Sequence, residues 1–284
     1  MDEKKLQAKL FDELAAVVQE AGADELYGHQ LDPAGEYFDK EVAMKLVTKL
    51  LKAYKNDYDE ARRKLIEIIK WRKKFDPISA AFIEQHDAKF DKLSAITYDQ
   101  SANANEKVIT WNFYGVVKDS NEYFGDLKAF LRWRVGLMEQ SLHLLDFSDN
   151  SNDYMVQIHD YKGVSVLRMD SKTKEGSKSV IKVFGEYYPE VLSRKFFINI
   201  PYLVTWIYSA VTAFVNEETK KKFVLVASGN DLPKYLGNQT PKEYGGKLHS
   251  MNDLLFTFSD KNKKAAIKPY TAYLIEQKFV NELD

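Results

Sequence analysis

Residues 196–215 read FFINIPYLVTWIYSAVTAFV, a run without formal charge and long enough to cross a bilayer as one helix. Pro201 falls near its start, and Asn199, Thr205, Ser209 and Thr212 interrupt the apolar surface. The run therefore reads as a buried strand, Phe196–Ile200, then an apolar helix with Pro201 near its first turn. A second short run, Phe223–Ala227 (FVLVA), has the character of a strand buried on both faces. Strand, helix, strand in this order predicts an α/β sheet with largely parallel central strands.

The flanks extend the pattern. Lys107–Tyr114 (KVITWNFY) and Tyr154–Met169 (YMVQIHDYKGVSVLRM) have strand character, the latter with a bend or bulge at Lys162-Gly163. Asp126–Leu145 is an amphipathic helix, and Ser177–Tyr187 a helix stopped by Pro189. The first third is helical: Lys4–Gln19, Lys40–Tyr54, and a helix capped at Asn56 or Asp57 that ends at Asp76-Pro77. The Lys and Arg residues crowding the last turn of that third helix read as a solvated helix end facing the dipole. Beyond Tyr244-Gly245-Gly246 come a polar stretch, Ser259–Lys264, and a final helix, Pro269–Leu283.

Composition removes whole classes of function. A net charge of -1 offers no global basic field for nucleic acid or anionic lipid, so any membrane contact is local. Without cysteine there is no disulfide frame, zinc–thiolate site, iron–sulfur cluster or thiolate-bound haem. The first residues, MDEKKLQAKLFDEL, read as a charged amphipathic helix and not as a signal peptide. Seventeen Tyr and seventeen Phe fit either a large apolar cavity or a well-filled core. No phosphate-binding loop, dinucleotide fingerprint, nucleophile elbow or H-E-x-x-H occurs, and the histidines are scattered, so a non-enzymatic protein is expected.

Two places could carry chemistry. In Ile158-His159-Asp160-Tyr161, alternation along a strand puts His159 and Tyr161 on one face and Asp160 on the other. An imidazole and a phenol side by side are either a satisfied polar pair in a core or a metal or haem site. Tyrosinate is a hard anionic ligand for ferric iron, and a neighbouring His can bond the phenolate or ligate in its place. Arg134 falls on the apolar stripe Leu127, Leu131, Met138, Leu145 and so needs an anionic partner. That partner is either a carboxylate such as Glu190 or a ligand's propionate or phosphate.

Several segments together resemble the fungal Sec-fourteen-type phosphatidylinositol-transfer family of the CRAL-TRIO superfamily. They are LLKAYKNDYDEARRKLIEIIKWRK (50–73), IHDYKGVS (158–165), YYPEVLSRKFFINIP (187–201), NEETKKKFVLV (216–226) and YGGK (244–247). The resemblance implies a helical N-terminal module (1–90), a CRAL-TRIO ligand-binding domain (91–250) and a C-terminal tail and helix (251–284). It implies a mixed sheet flooring a deep apolar pocket, with Tyr202–Val215 as the gating helix. Glu190, Thr219 and Lys222 match the family's lipid-headgroup residues. Tyr54 stands where the family has an arginine, and His159 and Tyr161 stand where it has apolar residues.

Those departures, with DELYG (24–28), ITWNFYG (109–115), RVGLMEQSLHLLDF (134–147) and HDYKGVSVLRMDS (159–171), resemble a haem-binding branch of the family. The likeness implies ferric haem b with Tyr161 as axial iron ligand. His159 stands beside it or replaces it, Tyr54 closes the pocket wall, and Arg134 meets a propionate. The implied setting is cytoplasmic, with transient peripheral contact to membranes such as the endoplasmic reticulum. The implied roles are haem or iron homeostasis or sensing, and phosphoinositide regulation. The alternative the family offers is a phosphatidylinositol transfer protein that carries lipid between membranes or presents it to a lipid kinase.

Overall fold

The computed structural model describes residues 2–164, 170–200, 217–258 and 266–281. Its N-terminal part is helical. The predicted first helix is two, α1 (Glu3–Asp12) and α2 (Leu14–Ala21), parted at Glu13, whose carboxylate is held by Arg62 at 2.9 Å. Next comes a hairpin that the periodicity did not predict, β1 (Glu25–Leu26) and β2 (His29–Gln30). Its two turn residues, Tyr27 and Gly28, both have positive φ, as the tightest hairpin turn requires. α3 (Lys40–Ala53) starts on Asp39 and α4 (Tyr58–Phe75) on Asp57, each carboxylate accepting backbone N–H groups of the first turn. Asp76, in the left-handed region, ends α4 and at once caps α5 (Pro77–Phe82), so the predicted stop is also a start.

One reading of α4 is corrected. Its last turn is not uniformly solvated: Arg72 is buried, with its guanidinium 2.7 Å from both Glu25 and Glu139. Tyr188 donates to the same Glu139 at 2.6 Å. The charge faces inward because two carboxylates are there to meet it.

The main sheet has the order β3 (Ser94–Tyr98), β4 (Val108–Phe113), β5 (Met155–Asp160), β6 (Leu192–Ile198), β7 (Phe223–Val226). β3 runs antiparallel to β4, and the remaining pairs are parallel. β3 is an unpredicted strand. β5 ends at Asp160 and is followed by the expected bend at Lys162-Gly163, where Gly163 has positive φ, and residues 165–169 of the expected strand lie outside the described residues. β7 is last in the sheet among the described residues, and its Leu225 is 49% exposed, so it is not buried on both faces.

After the short helix α6 (Ser120–Phe124), α7 (Leu127–His143) begins one residue past the expected start, capped by the Asp126 carboxylate. α8 (Ser171–Tyr187) begins six residues before the predicted start, on Asp170. The hydrophilic stretch SKTKEG hid that first turn from a hydrophobic pattern. A helix at Pro269–Asn281 returns to the N-terminal part, where Tyr270 meets Asp24 and Lys278 meets Asp76 and Ser79. Pro201, the expected gating helix Tyr202–Val215 and the polar stretch 259–264 lie outside the described residues. Among those described, no helix is long and apolar enough to cross a membrane.

Two buried histidines fix the acid side of the stability curve. His143 shares hydrogen bonds with the Glu139 carbonyl and the Thr271 hydroxyl, both at 2.8 Å. Burial and the nearby Lys268 charge hold its pKa down at about 3, and burial holds His29 well below its usual value. Both are neutral when folded and take up protons near pH 6.5 when unfolded. Stability is therefore full above about pH 6.5 and is lost as pH falls below it. At ~1.4 kcal/mol per pH unit, His143 alone costs about 2 kcal/mol by pH 5, and His29 acts in the same direction. Thermal melts at pH 7.5 and pH 5 check this: the midpoint should fall, and His143→Gln should flatten the slope.

Candidate functional site

The sheet's two faces differ. Ile109, Trp111, Val156, Ile158, Phe196, Ile198 and Val226 pack on one side with Leu232, Leu236 and Tyr244. The alternate residues, Asn112 of β4, Gln157 and His159 of β5, and Lys195 and Phe197 of β6, line a cavity of about 630 Å³ on the other. Asn112, His159 and Phe197 lie abreast in register. α7 supplies Phe130, Trp133, Arg134 and Met138, and α8 supplies Val180, Ile181 and Phe184. The size and the mostly apolar lining with a few polar groups are those of a site for a large amphiphile.

His159 and Tyr161 both line the cavity, as strand alternation predicts, and Asp160 points away from it. Asp160 is fully engaged on the far side: it accepts from Tyr244 at 2.7 Å, from Asn199 at 2.8 Å and from the Lys162 N–H at 2.8 Å. These bonds anchor the end of β5 from which the pair projects. Behind the turn, a side chain at Gly115 would run into the Lys162 carbonyl, so the backbones approach closely there.

The pair is not self-satisfied. His159 Nδ1 lies 2.7 Å from the Tyr114 hydroxyl, while its Nε2 is buried without a hydrogen-bond partner among the described residues. If Tyr114 donates, Nε2 presents an N–H; if Nδ1 donates, Nε2 presents a lone pair. Burial and the Lys195 and Arg134 charges keep His159 well below its usual pKa, so the ring is neutral. The Tyr161 ring sits 5.0 Å from Tyr114, and its hydroxyl meets no hydrogen-bonding group among the described residues. Burial, with Tyr114 nearby, raises the Tyr161 pKa well above the phenol range and that of Tyr114 to about 12. Ionising Tyr161 therefore requires a strong cation at its oxygen.

Arg134 is buried on α7, its guanidinium 4.9 Å from the Phe184 ring centre and its Nη1 without a hydrogen-bond partner among the described residues. Glu190 is not its counter-ion: that carboxylate holds Lys52 and Lys222, each at 3.2 Å. Burial lowers the Arg134 pKa to about 10, and burial together with the Arg134 charge lowers that of Lys195 to about 7. Tyr54, at the end of α3, lines the cavity half-buried, with its pKa raised to about 12. Thr219, in the short helix Glu217–Lys220, lines it together with Glu190 and Lys222.

All seven residues singled out in the sequence thus share one cavity. Two others went unrecognised. Tyr114 shares the cavity with Asn112, two residues before it, and Lys195 alternates with Phe197 on β6. The period-2 pattern that paired His159 with Tyr161 would have found both if applied to every strand.

Comparison with known proteins identifies the family. The CRAL/TRIO domain family matches residues 94–246. "Phosphatidylinositol transfer protein SFH5" of Saccharomyces cerevisiae is 39% identical over 99% of this chain and 98% of its own length. The protein of the same name from Meyerozyma guilliermondii is 42% identical over 90% of this chain and 81% of its own length. A solved structure titled "Crystal structure of Sfh5" superposes with a TM-score of 0.91 at 39% identity, covering 98% of this chain and 97% of the other. The chain belongs to the CRAL/TRIO family and, within it, to the group of the fungal Sfh5 proteins.

Proposed function

We propose that this protein is a non-enzymatic carrier of ferric haem b, held in the sheet-floored cavity through the Tyr161 phenolate. One observation carries the reading. In a single, mostly apolar cavity, the Nε2 of a neutral imidazole is buried without a hydrogen-bond partner among the described residues, and a phenol just past the end of the same strand lines the same space. A bound ferric centre would stabilise there a phenolate that burial otherwise forbids. His159 Nε2 would then bond the phenolate or compete with it. Arg134 and Lys195 would pair with propionates, and Tyr54 would close the wall. Anionic oxygen ligation favours the ferric state, so a low reduction potential and weak affinity for oxygen or carbon monoxide follow. Cytoplasmic residence with transient contact to membranes such as the endoplasmic reticulum belongs to the same reading.

A second reading rests on the cavity edge. Glu190, Lys222 and Thr219 form a polar cluster suited to a phosphoinositide headgroup, and the relatives carry the name of phosphatidylinositol transfer proteins. The two readings part on the contents of the purified protein. Protein from iron-replete cells, with no ligand added, is expected to show a Soret band and about one porphyrin and one iron per chain. Colourless protein that yields phosphatidylinositol on solvent extraction would overturn the haem reading in favour of the lipid.

A further inference from the structure

The cavity holds more positive charge than its own residues answer. Arg134 and Lys195 come from different elements, α7 and β6, and both line it. Among the described residues, no carboxylate lies within ion-pair distance of either. Glu190 is taken by Lys52 and Lys222, and Asp160 faces the other side of the sheet. Arg134 rests on the Phe184 ring, and the Lys195 amine lies 5.6 Å from the ring centres of both Phe197 and Phe223. A guanidinium with a buried, unpartnered Nη1 is costly to maintain. An occupant that brought only acyl chains to this point would leave that cost in place.

We infer that the cavity also receives a long-chain carboxylic acid, its carboxylate taken up by Arg134 and Lys195 and its alkyl chain by Phe124, Phe130, Trp133 and Met138. Two charged donors match the two oxygens of one carboxylate, and the four chain-binding residues are apolar and line the same cavity. A volume of about 630 Å³ accepts a single alkyl chain with ease. Uncharged esters of the same chain gain the apolar contacts and leave both cations unanswered. The cavity therefore discriminates acid from ester, which a greasy hollow without buried charge would not do. This site needs no iron, so it extends the repertoire beyond the haem reading.

The test uses the full chain prepared from haem-limited cells, so that absence of porphyrin bears only on the iron reading. Fluorescence titration compares cis-parinaric acid with its methyl ester, and oleate, methyl oleate and oleoyl lysophosphatidate compete for the probe. The acid should bind at least ~10-fold more tightly than the ester, the factor expected for one charge-assisted pair. Arg134→Met and Lys195→Met should each remove most of that preference while leaving ester binding unchanged. Circular dichroism verifies folding, and because the variants sit on different elements, either one alone suffices. Equal binding of acid and ester, no binding of the acid, or an Arg134→Met protein that keeps the preference would each overturn the inference. Displacement by lysophosphatidate ~10-fold better than by oleate would assign the cations to phosphate and overturn it as well.

Discussion

Tyr161→Phe is expected to yield colourless protein from cells in which the wild-type chain is red-brown. The substitution deletes one oxygen and keeps the ring, which packs with Tyr114 and Phe197. The Tyr161 hydroxyl makes no hydrogen bond among the described residues, so its loss leaves no partner stranded. Folding should survive, with a melting point equal to or above that of the wild type. A defect confined to colour would therefore report ligation and not collapse of the cavity.

His159→Ala separates the two roles open to the imidazole. If His159 bonds the phenolate, colour persists with a shifted Soret band and an affinity lower by about 10–100-fold, the usual cost of losing an outer partner of a metal ligand. If His159 is itself the ligand, colour is lost in His159→Ala and kept in Tyr161→Phe, which would sink the assignment of Tyr161. Loading also has a pH signature. Burial raises the Tyr161 pKa, so forming the phenolate releases a proton, and affinity should rise with pH through the neutral range. An affinity that fell over that range would speak against phenolate ligation.

The sequence made the sheet's facing legible where a strand carried chemically unlike neighbours. His159, Asp160 and Tyr161 alternate between cavity, far side and cavity, as strand geometry requires. The cap at Asp57 was legible for the same local reason, and the helix start at Asp126 within a residue, whereas Asp76 read only as a stop although it also caps the next helix. What escaped depends on distant partners. β3 became a strand because β4 was there to pair with it. Lys195 drew no reading, because only the cavity it shares with Arg134 of α7 shows that it faces an apolar hollow. Arg72 sat in a basic run that mimics a solvated helix end, and its carboxylates lie 47 and 67 residues away.

That misread arginine carries the second large effect. Among the described residues, Arg72 is the one cation bonded to both Glu25 and Glu139, in a cluster that also holds Tyr27 and Tyr188, and it joins α4 to the β1 hairpin strand and to α7. Tyr188 also lines the cavity, so the cluster ties the helical part to the site wall. Arg72→Ala leaves two buried carboxylates facing each other without a counter-charge. The expected loss is about 3–5 kcal/mol, a fall in melting point of roughly 5–10 °C. Arg72→Met combined with Glu25→Gln and Glu139→Gln removes the charges together and should recover most of that loss, since the penalty lies in the unpaired ions and not in the absence of the bridge. The deficit should also depend on pH. Burial already pushes the Glu25 pKa up despite the arginine beside it. Without Arg72 it rises further, so the folded variant binds more protons than the unfolded chain near neutrality. The gap between wild type and Arg72→Ala should then narrow from pH 7.5 to pH 5.5. A gap that is constant with pH, or a triple variant no more stable than Arg72→Ala, would show that Arg72 acts through packing and not through its charge.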